Sequence, residues 1–183
     1  MLPDDYQLRP LTIEDVPAMA AAYTRNREHL ARWDPARPDH FYTEAGQAEQ
    51  VAIQVAERET GKQHPYVLWH GHQAVGRVTI NNIVRGVLQS GTVGYWLDHG
   101  HLGRGLATGM VEHMVEEADQ RLGLHRLEAG TMLRNEPSQA VLRRAGFTFF
   151  GMAERFLHIN GTWEDHVLFQ RILNDRPAGN LAP

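Results

Sequence analysis

The chain contains no cysteine among its 183 residues. A disulfide, a thiolate zinc site and a cysteinyl acyl-enzyme intermediate are therefore excluded. The chain also lacks an apolar run of membrane-spanning length, and its first residues carry neither the basic region nor the apolar core of a signal peptide. These absences predict a cytoplasmic protein without a membrane partner.

An excess of positive charge is missing as well, because 18 Lys and Arg face 22 Asp and Glu, for a formal charge of −4. Nucleic-acid binding draws on clustered basic side chains, so no direct nucleic-acid partner is expected. The length suits one domain. A polar stretch with Pro177 and Gly179 ends the chain. We therefore expect a single domain over 1–174 and a flexible tail over 175–183.

The hydrophobic pattern switches between strand and helix periods along the chain. It predicts helices over 12–24, 27–33, 43–58, 104–122 and 137–145, and strands over 6–9, 65–69, 74–84, 92–97, 125–133, 147–159 and 162–172. This order indicates an α+β fold, in which a mixed, largely antiparallel sheet carries helices on both faces.

The most informative segment runs from the strand end Tyr95-Trp96-Leu97 through a turn with two glycines, Gly103 and Gly105, into a helix. Such a turn points several backbone N–H groups at one spot, where the helix dipole also favours an anion. The segment predicts a phosphate site. Taken alone, the glycine spacing is also common in ordinary turns.

A second segment strengthens that interpretation. Asn135 suits a helix N-cap, Pro137 and Ser138 suit the first turn, and Gly146 suits the residue just after the helix end. The spacing Asn-x-x-Ser-x-x-x-Leu-x-x-x-Gly-Phe is more specific than the glycine turn.

Together the two segments resemble the GNAT superfamily of acyl-CoA-dependent N-acyltransferases, and more narrowly its ribosomal-protein alanine N-acetyltransferase branch. The narrower likeness rests on Gly94-Tyr95-Trp96-Leu97-Asp98 and on residues 156–172. The family's Gln/Arg-x-x-Gly-x-Gly/Ala cradle is matched at Gly105 and Ala107, whereas Leu102 replaces the Gln or Arg. The resemblance covers about residues 7–173.

The resemblance implies a GNAT fold with splayed central strands, in which the pantetheine arm of acetyl-CoA pairs with the strand before the cradle. No metal is expected from the residues themselves. Neither His99-Gly100-His101 nor His70-Gly71-His72 has a third ligand nearby in the sequence. The implied cofactor-binding residues are Trp96, Leu97, Leu102, Gly103, Arg104, Gly105, Leu106, Ala107, Thr108, Asn135 and Ser138.

The catalytic roles carry over with one change. Ser138 is the candidate general acid toward the CoA sulfur, and it could instead be a plain first-turn serine. His99 replaces the branch's Glu and is the candidate base, with Asp98 as the alternative; both could also be solvated loop residues. Asn135 can cap its helix, contact the cofactor, or do both.

The acceptor is the least determined part. Four residues fall in the early helical region that borders the acceptor site in GNAT proteins: Arg27, His29, Trp33 and Asp34. The resemblance favours direct transfer to the α-amine of a protein N-terminus, a ribosomal protein in particular. A small amine, such as an antibiotic or an aminoacyl compound, and a non-catalytic acyl-CoA sensor stay open. A homodimer is kept as an expectation.

Overall fold

A computed structural model describes residues 2–177 of the chain. Within them, seven strands and five α-helices follow one another as β1 (Tyr6–Pro10), α1 (Val16–Arg25), α2 (Arg27–Leu30), α3 (Glu44–Glu59), β2 (His64–His70), β3 (Gln73–Val84), β4 (Ser90–Leu97), α4 (Leu106–Glu116), β5 (Arg126–Met132), α5 (Glu136–Arg144), β6 (Thr148–Ile159) and β7 (Thr162–Ile172). No helix in the described range is long and apolar enough to cross a membrane.

The seven strands form one sheet in the order β1-β2-β3-β4-β5-β7-β6. Neighbours are antiparallel except β4 and β5, which run parallel. Those two strands pair only from Ser90 to Thr92 against Arg126 to Glu128, and beyond that point they separate. The expected mixed, largely antiparallel sheet with splayed central strands is confirmed.

Helices cover both faces of the sheet, as the sequence predicts. Along β2, Tyr66 and Leu68 face a core that includes α4 and α5 residues, while Val67 faces a second core with α1 and α3. This alternation is the period of two that a strand imposes on its side chains. The first core is the larger, and it lies beneath the end of β4.

Three predicted helices are shorter than expected, and the first of them, over 12–24, starts as a 3-10 turn at Ile13–Asp15 before α1 begins. Gly105 takes the left-handed conformation at φ 75°, so α4 begins at Leu106, and after Glu116 the chain continues as a π-helical turn. That turn buries Glu117, whose carboxylate accepts a hydrogen bond from the Tyr66 hydroxyl at 2.8 Å. The helix expected over 27–33 ends at Leu30, and the residues from there to Pro35 form a turn and a bend.

The last described residues contact the body of the domain. The Arg176 guanidinium pairs with the Asp119 carboxylate at 2.6 Å. Most of the tail expected to be flexible, residues 178–183, lies outside the described residues. The division at 174 and 175 therefore stays a prediction.

Candidate active site

A cleft of about 710 Å³ opens where β4 and β5 separate. Its walls come from the end of β4, the start of α4, the start of α5, and the end of α2 with the segment that follows it. All site residues predicted from the sequence except Arg27, Asp98 and Arg104 line it: His29, Trp33, Asp34, Trp96, Leu97, His99, Leu102, Gly103, Gly105, Leu106, Ala107, Thr108, Asn135 and Ser138. Segments far apart in the chain thus meet in one place.

The β4 side of the gap exposes backbone groups. Asp98 donates its N–H to the Val75 carbonyl on β3 at 2.7 Å. Because an antiparallel ladder points alternate residues toward its partner, the peptide groups of Leu97 and Tyr95 face the other way, into the gap. An extended ligand with amide groups can pair there as a strand would.

The cradle lies directly after this edge. Gly103 and Gly105 both hold φ of 75°, and a Cβ built on either would meet no atom within 4 Å, so their surface is open. Leu106, Ala107 and Thr108 open α4 and line the cleft. The first N–H groups of a helix have no partner within it, and they carry the positive end of the dipole. This arrangement suits a pyrophosphate.

The side chains of Leu102 and Arg104, both in this turn, point in different directions. The exposed Leu102 side chain lines the cleft, where the family carries a polar residue. The Arg104 guanidinium turns away and donates to the Tyr6 hydroxyl and to the Gly100 carbonyl, each at 3.2 Å. Arg104 can therefore reach a phosphate in this conformation only through its backbone, and its side chain fastens the turn to β1.

Ser138 stands at the opposite wall. Its backbone N–H donates to Asn135 Oδ1 at 3.2 Å, which makes Asn135 the cap of α5 while it also lines the cleft. Ser138 Oγ lies 2.9 Å from the Tyr95 hydroxyl oxygen, a contact in which either hydroxyl can donate. The Tyr95 hydroxyl donates to the Ser138 carbonyl at 3.1 Å. Burial raises the pKa of Tyr95 to about 12, so this phenol is protonated near neutral pH.

Tyr95 is a site residue that the sequence reasoning missed. A signal was available, because Tyr95 stands two positions before Leu97 on a strand, and both backbones therefore face the gap. What the sequence could not show was the hydroxyl contact with Ser138, 43 positions away.

Asp98 lies behind the cleft rather than in it. Its Oδ2 accepts from Arg25 at 2.7 Å and from Asn26 at 2.8 Å, and its Oδ1 accepts from the Gly100 N–H at 2.8 Å. Burial works to raise the pKa of this carboxyl, but the hydrogen bonds from Asn26, Arg25 and Gly100 outweigh it, so the pKa falls below its usual value. Such a carboxylate is a weak base with both oxygens engaged.

Two imidazoles lie side by side at the end of β4. His99 is exposed, and its backbone N–H donates to Asn26 Oδ1 at 2.9 Å. The half-buried His29 ring meets the His99 ring edge-on, with centroids 5.4 Å apart. Burial, and then the neighbouring His99, lower the pKa of His29 below that of an ordinary imidazole.

Trp33 and Asp34, in the segment after α2, line one side of the cleft, and Asp34 also lines a smaller cavity of about 170 Å³. Burial raises the pKa of the Asp34 carboxyl above its usual value and outweighs the opposing effect of the Arg37 and Arg77 charges. Within residues 2–177, no donor lies within hydrogen-bond distance of its carboxylate. Arg27 lines only the smaller cavity, where it pairs with Asp39 and lies over the Tyr42 ring.

Comparison with known proteins agrees with this geometry. A family model described as an acetyltransferase (GNAT) domain matches residues 6–148. The probable N-acetyltransferase YjcK of Bacillus subtilis is 35% identical over 169 residues, which cover 91% of this chain and 93% of the relative.

Two solved structures share the fold. The ribosomal-protein-S5-alanine acetyltransferase of Vibrio fischeri aligns with a TM-score of 0.92 and 33% identity, over 97% of this chain and 98% of that one. RimJ of Mycobacterium smegmatis, in complex with CoA-disulfide, aligns with a TM-score of 0.87 and 29% identity, over 91% and 81%. The similarity spans nearly the whole domain, including the cleft.

Proposed function

The chain belongs to the GNAT acetyltransferase family, and from that premise we propose that it transfers acetyl from acetyl-CoA directly to the α-amine of a protein N-terminus, with a ribosomal protein as the acceptor class. Such an acceptor would be met in the cytoplasm. The observation that carries the proposal is the adjacency, within one cleft, of an unpaired strand edge, a helix N-terminus and a serine.

Two parts of acetyl-CoA, its pyrophosphate and its pantetheine arm, suit these residues. The N–H groups that open α4 face the pyrophosphate, and the Thr108 hydroxyl adds a donor. The β4 edge pairs with the amides of the pantetheine arm, as strand addition would. The RimJ structure from Mycobacterium smegmatis holds CoA in complex, which supports the same ligand here.

The acetyl thioester supplies the electrophile, and the side of the cleft at Leu97 supplies the groups that act on it. The Leu97 N–H, which faces the gap, donates to the thioester carbonyl oxygen as negative charge develops there. Ser138 Oγ, held by Tyr95 and the Asn135 cap, donates its proton to the departing sulfur. Tyr95 acts as a positioning residue, because its hydroxyl contacts Ser138.

The acceptor enters from the side of the cleft lined by Trp33. An α-ammonium is attracted by the Asp34 carboxylate, which lacks a hydrogen-bond partner among the described residues. An α-amine has a pKa near ~7.7–8.0, so it loses its proton far more readily than a lysine side chain near ~10.4. The proton leaves through the imidazoles on this side, of which His99 is the base expected from the sequence. We assign Asp98 a structural role in holding the loop that carries His99, because both of its carboxylate oxygens already accept hydrogen bonds.

The test is acceptor-dependent CoA release by the purified protein, with product identified by mass spectrometry. Peptides with ribosomal-protein N-termini are compared with the same peptides blocked at the α-amine, and each carries an internal lysine. We expect acetylation only of the unblocked peptides, at the α-amine. Turnover confined to small amines would move the acceptor to that class. CoA binding without release to any amine would make the chain a sensor.

A further inference from the structure

His29 holds a position that its sequence context does not explain. Its ring lines the cleft and reaches the backbone of Leu97, the residue whose N–H faces the thioester in the proposed function. The preceding Asn26 fixes this position, since its side chain is hydrogen-bonded both to the Asp98 carboxylate and to the His99 backbone. His29 and His99 are therefore held against each other by a buried polar network.

The two rings differ in what surrounds them. His29 is half-buried, and its charged and titratable neighbours are His99 on the adjacent loop, Arg32 beyond α2 and Asp98 behind the cleft. His99 and Arg32 disfavour a positive charge on the His29 ring, whereas Asp98 favours one. A neutral imidazole carries one N–H and one lone pair, which is what a proton acceptor beside the reaction centre needs. The exposed His99 ring lies on the solvent side of the pair.

We propose that His29 is the catalytic base of the transfer and that His99 passes the proton on to water. The proposal rests on the proposed function. The amine nitrogen forms a bond to the acetyl carbon, and the carbon–sulfur bond breaks. The amine proton goes to the free nitrogen of His29, while the sulfur takes the hydroxyl proton of Ser138, which Ser138 regains from water. His29 then loses its proton through His99, and the base is regenerated.

The experiment compares His29→Gln, His99→Gln and the control His72→Gln, whose site lies in the exposed turn between β2 and β3. Melting temperature without ligand reports whether each variant is folded. The kcat/KM of each is measured against pH with acceptors of differing amine pKa, so that the acceptor's ionisation is separated from the enzyme's. NMR titration of the free wild-type protein gives the pKa of His29 independently of turnover.

We expect His29→Gln to lower kcat/KM by about 10²-fold, the usual scale for acid–base groups, and to remove the acidic limb of the profile. That limb in the wild type should coincide with the His29 titration, below the ordinary imidazole pKa. His99→Gln should cost less than about tenfold and keep the limb, since water can accept the proton from His29 directly. His72→Gln should match the wild type.

Three results would overturn the assignment. The limb could survive in His29→Gln and vanish in His99→Gln, or it could survive in both variants, or His29 could titrate at or above the ordinary imidazole value. Each of these leaves a wild-type enzyme that still acetylates peptides, so the proposed function would stand. A folded wild type that transfers acetyl to no amine would instead remove the proposed function, and the base with it.

Discussion

The cradle can be tested by changing its charge without changing its shape. Gly105 holds φ of 75° and ψ of −2° immediately before α4, and a Cβ there meets no atom within 4 Å. Gly105→Asp and Gly105→Asn place side chains of nearly equal size at this point, and both residue types tolerate the left-handed conformation better than most. They differ by one negative charge, which faces the site proposed for the pyrophosphate.

The expected difference follows from Coulomb's law. Two unit charges about 4 Å apart interact by about 1 kcal/mol in bulk water and by about 4 kcal/mol at an effective dielectric constant near 20. CoA should therefore bind Gly105→Asp about 5- to 10³-fold more weakly than Gly105→Asn, for each phosphate charge that the carboxylate approaches. Added salt should narrow the gap.

Backbone strain needs its own control, because a left-handed residue other than glycine costs about 1–2 kcal/mol. Gly61, at φ 70° with nothing within 4 Å of a Cβ, lies just beyond α3 and lines none of the cavities described above. Gly61→Asp should lose about 2–8 °C of melting temperature, as the Gly105 variants should, with unchanged CoA affinity.

Isothermal titration with CoA and with pantetheine completes the assay. Pantetheine lacks the pyrophosphate, so the two Gly105 variants should bind it equally. Equal affinity of Gly105→Asp and Gly105→Asn for CoA at low salt would show that no phosphate lies at this turn, and the cradle assignment would be refuted.

Three further changes separate the remaining roles. Ser138→Ala should lower kcat by about 10²-fold with CoA affinity nearly unchanged, and near-normal single-turnover chemistry would return Ser138 to a structural role. Asp34→Asn should raise the KM of a cationic peptide by about 10- to 150-fold and leave the KM of acetyl-CoA unchanged, because a hydrogen bond to a charged group contributes about 1.5–3 kcal/mol. Equal effects on both substrates would argue against an acceptor site. Asp98→Asn should lower the melting temperature at neutral pH. The difference in melting temperature from the wild type should shrink as the pH falls through the depressed pKa of the Asp98 carboxyl, because protonation of the wild-type carboxylate removes the same charge. A difference that does not depend on pH would contradict this.

The sequence was most informative where a signal is local. The glycines at 103 and 105 require the turn whatever surrounds them, and the Asn135 cap needs only its own helix. Alternating apolar residues predicted the strands, and the order of the strands in the sheet confirmed the predicted mixed, largely antiparallel fold class. Such features depend on neighbours within a few positions, so they can be predicted without knowing what packs against them.

What could not be predicted depends on distant partners. The role of Asp98 is decided by Arg25 and Asn26, which lie more than 70 positions earlier in the chain. The π-helical turn at Glu117 is accompanied by a buried carboxylate that meets Tyr66, 51 positions away. Sequence patterns report on residues only a few positions apart. The sequence therefore indicates an exposed loop at Asp98 and a continuous helix through Glu117.

The separation of β4 from β5 also decides what else the protein can bind along its length. A sheet edge invites any extended chain, and soluble proteins normally block their edges against aggregation. Here the edge is internal, and α4 and α5 flank it on one face. A polypeptide strand carries a side chain at every residue, alternately on both faces, so those helices would crowd it, whereas an amide arm with few substituents can enter. The opening proposed for the acyl donor is thus unfavourable for a neighbouring protein's strand.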